Sequence, residues 1–375
     1  MDKLDNDCRA CVTGLYNRTH ARRAPDEAPS TVRVLIIEGS AVMRGAFQAF
    51  LAADPGIEVI GVVPDLYSAR SMFARTRPDV LALDVDEHTV ERLAFLRGLM
   101  LLDPLPVIVL SRKPVGGGSR ALDALGLGAV DVFLKPATLE RATETFAPLA
   151  RQIRAAAAAH AETLRSAPAA PAGRTVPRQF PPTRVIAIGA STGGTRAIDV
   201  ILRRFPANAP GTLIVQHMPA YFTRTFAEGL NRQCAMQVKE AEQGDVLAPG
   251  RVLVAPGDHH MVLVRSAGAY HVELTKGPRE HHQRPAVDVL FRSVARAAGR
   301  DGIGVLLTGM GADGAAGLLE MLHAGARTIA QDQASSVVFG MPREAIRLGA
   351  AEKVLPLEDI ASAALILSSM MRGAA

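Results

Sequence analysis

From Val32 onward the chain alternates short, continuously apolar runs with stretches whose apolar residues recur at helical spacing. The first pattern predicts strands buried on both faces, and the second predicts helices with one apolar side. In the first half this gives strand Val32–Ile37 and a helix carrying Met43, Phe47, Phe50 and Leu51, stopped by Asp54-Pro55-Gly56. Strand Ile57–Val63 precedes a helix around Ala69–Phe73, and strand Val80–Val85 precedes a helix with Leu93, Leu96 and Met100. Strand Val107–Ser111 leads through Gly116-Gly117-Gly118 to a helix near Leu122–Leu125. Strand Val130–Leu134 ends at Lys135-Pro136, and a long helix starts near Thr138. Apolar strands alternating with helices predict a doubly wound parallel sheet.

That long helix runs into the alanine tract Ala155–Ala159, and Ala167–Pro182 mixes prolines with alanines in the manner of a linker. The alternation then resumes with strand Val185–Ala190, a helix, strand Leu213–Gln216 and another helix. Short strands Val252–Ala255, Met261–Val264 and Val272–Leu274, separated by Pro-Gly and Ser-Ala-Gly turns, read as a β excursion from the sheet. A helix near Val287–Ala298, strand Ile303–Leu307, a helix after Gly314, strand Thr328–Ala330 and two closing helices complete the pattern. The expected organisation is a polar tail at 1–30, a first α/β domain at 31–150, a helix extension and Ala/Pro linker at 151–182, and a second α/β domain at 183–375.

Composition narrows the partners. Of the 375 residues 48% are apolar and 21% charged, a globular balance too long for one ordinary core. The net charge of +5 is spread as single arginines, and with no Trp and four Tyr there is no basic block interleaved with aromatics. That argues against a nucleic-acid partner. Three cysteines make no disulfide framework, and Cys8-x-x-Cys11 lacks a second pair at zinc spacing, so coincidence is favoured over metal. The opening Met-Asp-Lys-Leu-Asp-Asn-Asp has no apolar signal region and no stretch is long and apolar enough to span a bilayer, so a soluble cytoplasmic protein without membrane insertion is expected.

The chemistry gathers at strand ends. Val185 to Gly194 runs from apolar residues into a glycine-flanked serine, and Gly189, Ser191 and Gly193 satisfy G-x-S-x-G. Alone, the motif leaves open a nucleophilic serine, a phosphate-cradling turn or a merely structural one. His217 ends Leu-Ile-Val-Gln-His, and Asp313 lies in Thr308-Gly-Met-Gly-Ala-Asp-Gly314 after strand Ile303–Leu307. All three fall at carboxyl ends of strands read as parallel, where open α/β sheets bind their ligands. A serine hydroxyl needs a base to take its proton, and that base needs a carboxylate to hold it. Each has a plainer reading: His217 as a hydrogen-bonded structural residue, Asp313 and Ser191 as caps of the helices that follow them. Their convergence on one sheet edge favours the triad. A rival is dinucleotide binding, since Gly309-x-Gly311-x-x-Gly314 sits between strand and helix with Asp332 further on. Against it, Asp313 would place a negative charge where the pyrophosphate must lie.

At these residues the chain resembles the CheB chemotaxis protein-glutamate methylesterase family. The resemblance covers nearly everything from Val32. It is most specific in Ile188-Gly-Ala-Ser-Thr-Gly-Gly194, Gln216-His-Met-Pro219, Ala255-Pro-Gly-Asp258, Arg284-Pro-Ala-Val-Asp-Val-Leu-Phe291, Thr308–Gly314 and Val338-Phe-Gly-Met-Pro342. It implies a Ser191–His217–Asp313 triad that hydrolyses glutamate γ-methyl esters on methyl-accepting chemotaxis receptors, releasing methanol, and deamidates certain receptor glutamines. Met310 N–H is the implied oxyanion donor, with Thr192 supporting the site, and the esterase takes no cofactor. The order Ser, His, Asp fits this family and not the α/β-hydrolases, where the acid precedes the histidine.

The amino-terminal domain resembles a response-regulator receiver, a flavodoxin-like (βα)5 fold joined by the linker to the doubly wound methylesterase domain. Asp84 matches the phosphoacceptor, Ser111 the switch hydroxyl and Lys135 the phosphate-pairing lysine, which implies control by a CheA-type histidine kinase. The Mg²⁺ site does not carry over. Receivers carry two adjacent acids after the first strand, and here Glu38 is followed by Gly39; the loop after Asp84 is altered to Asp86-Glu87-His88-Thr89. Glu38 and Asp86 are left as Mg²⁺ candidates, with Glu87 beside them. The expectation is a receiver phosphorylated poorly or not at all, because phosphoryl transfer relies on Mg²⁺ to offset charge. A signalling scaffold with a vestigial esterase is the non-enzymatic alternative. His259-His260 and His281-His282 have no clear third ligand and are read as surface or cleft-lining residues, and Arg284 is a candidate for recruiting an acidic receptor segment.

Overall fold

The computed structural model describes residues 31–73, 75–102, 104–112, 120–136, 142–163 and 179–369. The expected tail at 1–30, Cys8 and Cys11, Gly116–Gly118 and the linker up to residue 178 lie outside the described residues. The described residues up to 163 form one compact unit and those from 179 form another.

The first unit is a parallel sheet of β1 (Val32–Ile37), β2 (Ile57–Val63), β3 (Val80–Asp84), β4 (Val107–Ser111) and β5 (Asp131–Leu134), in the order β2-β1-β3-β4-β5. Its helices are α1 (Ala41–Ala52), α2 (Leu66–Phe73), α3 (Thr89–Leu102), α4 (Arg120–Gly126) and α5 (Ala142–Thr163). Strands β3 and β4 are buried along their whole length, which is why they read as unbroken apolar runs. Ser40 caps α1 by accepting from Met43 N–H, and the helix turns Met43, Phe47 and Leu51 inward. Phe47 and Phe146 meet edge to face with centroids 5.2 Å apart, and Phe133 closes the group. Full burial of a side chain of this size contributes about 1.5–3 kcal/mol. Helix α5 does not leave the unit at residue 150, because Ile153, Ala156 and Ala157 belong to the same core.

The second unit is built on a seven-stranded parallel sheet in the order β15-β14-β13-β6-β7-β10-β8. Its strands are β6 (Val185–Ala190), β7 (Gly211–Gln216), β8 (Gln237–Glu240), β10 (Arg251–Val254), β13 (Gly302–Leu306), β14 (Arg327–Gln331) and β15 (Lys353–Leu355). Three strands, β9 (Val246–Leu247), β11 (His260–Ser266) and β12 (Ala269–Thr275), form a separate antiparallel sheet. The helices are α6 (Gly194–Leu202), α7 (Ala220–Asn231), α8 (Val287–Ala298), α9 (Ala315–His323), α10 (Met341–Arg347) and α11 (Leu357–Ser369). The expected β excursion is half right. The segment from Val252 pairs in parallel with β7 and β8 inside the main sheet, and only Met261–Val264 and Val272–Leu274 leave it. Val252, Leu253 and Val254 are fully buried, so the segment is a two-sided core strand despite its brevity.

The path of the chain sets the site. β6 is laid down first, β7 pairs on one side of it, and β13 returns much later to pair on the other. The strand order therefore reverses about β6, and the crevice beyond the carboxyl ends of β13, β6 and β7 is the topological switch point of this sheet. Among the described residues no helix is long and apolar enough to cross a membrane.

Candidate active site

Ser191 follows β6 directly, and its position is fixed from three sides. Its N–H donates to Thr308 O at 3.0 Å, tying it to the loop after β13. Thr308 Oγ1 donates to Thr192 O at 2.9 Å and accepts from Val338 N–H at 2.8 Å. The motif glycines have separate reasons. A side chain at Gly189 would collide with Val287, whose Cγ1 lies 2.2 Å from where its Cβ would stand, so this glycine lets the start of α8 sit on the strand end. Gly193, at φ +80°, is the left-handed residue that turns the chain into α6. That helix start has no side-chain cap, so the capping role that the sequence allowed Ser191 is not realised.

His217 is the next residue on the neighbouring strand. Ala190 and Gln216 are paired across β6 and β7, and His217 N–H donates to Ala190 O at 3.0 Å. Ser191 and His217 therefore follow paired positions on adjacent parallel strands, whose spacing is about 4.8 Å. His217 Nε2 lies 2.7 Å from Asp313 Oδ2. Its other ring nitrogen, Nδ1, is buried with no hydrogen-bond partner. A carboxylate can only accept, so the proton sits on Nε2 and Nδ1 keeps a basic lone pair.

Asp313 is 2% exposed and accepts two further bonds, from Val287 N–H at 2.8 Å and Asp288 N–H at 2.9 Å. These are the first N–H groups of α8, whose N-cap residue Ala286 supplies no side-chain bond. The expected alternative, that Asp313 caps the helix following it, thus fails in an informative way: it caps α8, packed from elsewhere in the chain, while α9 has no side-chain cap. Burial pushes the Asp313 carboxyl up. The bond with His217 and the two helix N–H donors outweigh that and hold it below the ordinary carboxylate range.

Met310 lies in the turn after Thr308, half-buried. The turn is pinned by Gly309, whose N–H donates to Val338 O and whose carbonyl accepts from Met341 N–H at 2.8 Å. Among the described residues none accepts from Met310 N–H. Thr192 is 5% exposed beside Ser191.

Two features of the crevice are absent from the motif reading. Gln216, 3% exposed, donates through Nε2 to Ser191 O at 2.8 Å and to His217 O at 3.0 Å, bracing both strand ends at once. Replacing it with leucine removes both donors, an expected cost of about 1–3 kcal/mol in urea unfolding together with a lower kcat. Unchanged stability and kcat in that variant would refute the bracing role. The second feature is a further His–carboxylate pair: His281 Nε2 lies 2.9 Å from Asp288 Oδ2, and Asp288 Oδ1 accepts from Gly317 N–H at 2.6 Å. Burial and the neighbouring Asp313 push the Asp288 carboxyl up. The ligand atoms of His281, Asp288 and Asp313 lie within 4.8 Å of one another, but both carboxylates already accept from protein donors. Spacing could not reveal the pair, because Asp288 sits in the first turn of α8 and His281 lies in the preceding loop.

The other flagged residues are engaged elsewhere. His260 is 2% exposed and bridges Pro278 O and Ala286 N–H, a structural role rather than the surface or cleft position expected. Arg284 donates to Asp258 Oδ1 at 2.7 Å and to Gly277 O at 2.9 Å, so its guanidinium holds two loops together instead of waiting for an acidic partner. Asp332 of the dinucleotide alternative accepts from Ser335 N–H and Oγ in a local turn.

In the first unit the flagged residues do converge. Lys135 Nζ contacts Asp84 Oδ1 at 2.7 Å, Asp86 Oδ2 at 2.8 Å and Glu38 Oε2 at 3.2 Å, and Ser111 Oγ donates to Asp86 Oδ1 at 3.0 Å.

Residues 186–364 match the model of the CheB methylesterase family. A protein-glutamate methylesterase/protein-glutamine glutaminase of Anaeromyxobacter dehalogenans is 49% identical over 353 residues, covering 93% of this chain and 99% of the relative. One of Xanthomonas campestris is 45% identical over 352 residues, covering 91% and 98%. Among solved structures, the Thermotoga maritima CheB methylesterase catalytic domain is 39% identical and covers 49% of this chain and 98% of its own, with a TM-score of 0.48.

Proposed function

The chain belongs to the CheB methylesterase family, and we propose that it is a protein-glutamate methylesterase and protein-glutamine glutaminase acting on chemotaxis receptors in the cytoplasm. The observation that carries this reading is His217, held by Asp313 through Nε2 with a buried, unpartnered Nδ1 in register with Ser191.

The chemistry follows from those atoms. His217 Nδ1 takes the proton of Ser191 Oγ as the oxygen attacks the γ-carbonyl of a methylated glutamate. The tetrahedral oxyanion is received by Met310 N–H, with Thr192 shaping the same turn; in other serine hydrolases one such donor contributes about 2.7–4 kcal/mol. The C–O bond to the methoxy group then breaks, His217 returns the proton, and methanol leaves. Water, activated by the same Nδ1, attacks the acyl-serine and releases a free glutamate. With a glutamine side chain the leaving group is ammonia and the later steps are the same. No step needs a metal or other cofactor.

The test uses the purified chain and receptor carrying isotopically labelled methyl esters. Labelled methanol should appear with turnover, and ammonia should appear from receptor with unmodified glutamines. A folded chain that releases neither would overturn the proposal.

A further inference from the structure

The acidic pocket of the first unit contains a cation that the motif reading did not include. Arg92, in α3, is 1% exposed and enters the pocket beside Asp84. Its Nη1 donates to Asp84 Oδ2 at 2.5 Å and to Asp84 O at 2.7 Å, and its Nη2 to Pro64 O at 3.2 Å. Lys135 holds the other carboxylate oxygen, Oδ1, which also accepts Asp86 N–H at 3.0 Å. Both oxygens of Asp84 are thus committed to buried cations. Three carboxylates, Glu38, Asp84 and Asp86, face two cations that sit within hydrogen-bond distance of them.

The residues present do not fit the Mg²⁺ of a receiver. That ion needs a near-octahedral oxygen shell made of a few carboxylates and several waters. Among the described residues no three His, Cys, Asp or Glu ligand atoms of this pocket come close enough to hold one ion. The second acid of the usual pair is replaced by Gly39, and the Glu87 carboxylate has moved into the space its side chain would fill, with Oε2 1.9 Å from where a Cβ would stand.

We infer that Arg92 takes the place of the divalent cation, fixing the first unit in one charge-compensated state that accepts neither Mg²⁺ nor a phosphoryl group. The physical reason is the cost of undoing the cage. For Asp84 to attack phosphorus, one of its oxygens must leave Arg92 or Lys135, and a buried cation that loses its partner is strongly unfavourable. An incoming phosphoryl group adds negative charge to a pocket whose cations are already paired. Control of the second unit by phosphorylation of Asp84 is therefore absent in this chain, and any control of that unit takes another route. The inference rests on the receiver reading of the first unit and not on the esterase reading, so either can fail alone.

The full-length chain is titrated with Mn²⁺ and free ion followed by electron paramagnetic resonance, then incubated with acetyl phosphate and Mg²⁺ and weighed by intact mass spectrometry. Phosphoryl transfer would form a bond from an Asp84 carboxylate oxygen to phosphorus and release acetate. The expected result is Mn²⁺ behaviour identical to that of Asp84→Asn, and no phosphoryl group added. Arg92→Gln, checked for folding by circular dichroism, should gain saturable Mn²⁺ binding that the parent chain lacks and that adding Asp84→Asn removes. Binding by the parent chain that Asp84→Asn abolishes, or a phosphoryl group on Asp84, would overturn the inference. A folded Arg92→Gln chain with no gain would also overturn it. Should that variant not fold, the two arms on the parent chain still decide.

Discussion

Ser191→Ala should lower kcat for methanol release by about 10⁶-fold, the size of effect seen when a serine hydrolase loses its nucleophile or its base. His217→Ala should cost about as much, and the double variant no more than either, because the hydroxyl and the imidazole act as one unit in proton removal and attack. Stability should be nearly untouched in Ser191→Ala. The Ser191 hydroxyl caps no helix, and the bonds that hold the residue run through its backbone, from Ser191 N–H to Thr308 O and from Gly194 N–H to Ser191 O. The measurement is single-turnover release of labelled methanol beside a thermal melt. Additive losses in the double variant, or activity within tenfold of the parent in Ser191→Ala, would mean that the ester is cleaved by another group. A drop in activity matched by a drop in melting temperature would assign Ser191 to structure instead.

The strands and their ends were readable because burial on both faces forces unbroken apolar runs, and chemistry then has to sit where those runs stop. Ser191, His217 and Asp313 each stand just beyond such a run. What escaped the sequence are residues whose roles depend on contacts from distant segments. β8 and β15 lie at the sheet edges, four and three residues long and largely solvent-facing, too short to carry a clear apolar signal. Asp313 reads as a cap for the next helix, yet its carboxylate is taken by α8, which only the packing of Val287 against Gly189 brings to it. Arg92 did leave a trace. It occupies the buried stripe of α3 with Phe95, Leu96 and Leu99, where an arginine must find a carboxylate.

Asp313→Asn isolates what the acid of the triad does. Asparagine has nearly the same shape, so the turn should persist, but its amide presents a donor to His217 Nε2. The imidazole then carries its proton on Nδ1, the nitrogen that must accept from Ser191, and kcat should fall by about 10⁴-fold. Stability should fall as well, by about 1.5–3 kcal/mol at neutral pH, because a charged acceptor for the α8 N–H groups is lost. The pH dependence separates the two roles. The folded pKa of Asp313 lies below its unfolded value, so its carboxylate contributes stability fully above the unfolded value of about 3.9. That contribution is lost as pH falls through the folded pKa. Asp288 has the opposite sign: its folded pKa is raised, so its ionised form costs stability as pH rises through that value. In Asp313→Asn the acid-limb loss should shrink, while the Asp288 component should move to lower pH once the repulsion from Asp313 is gone. An unchanged acid limb in urea melts across pH would show that Asp313 is not ionised in the folded chain, and the triad would lose the charge that orients its base.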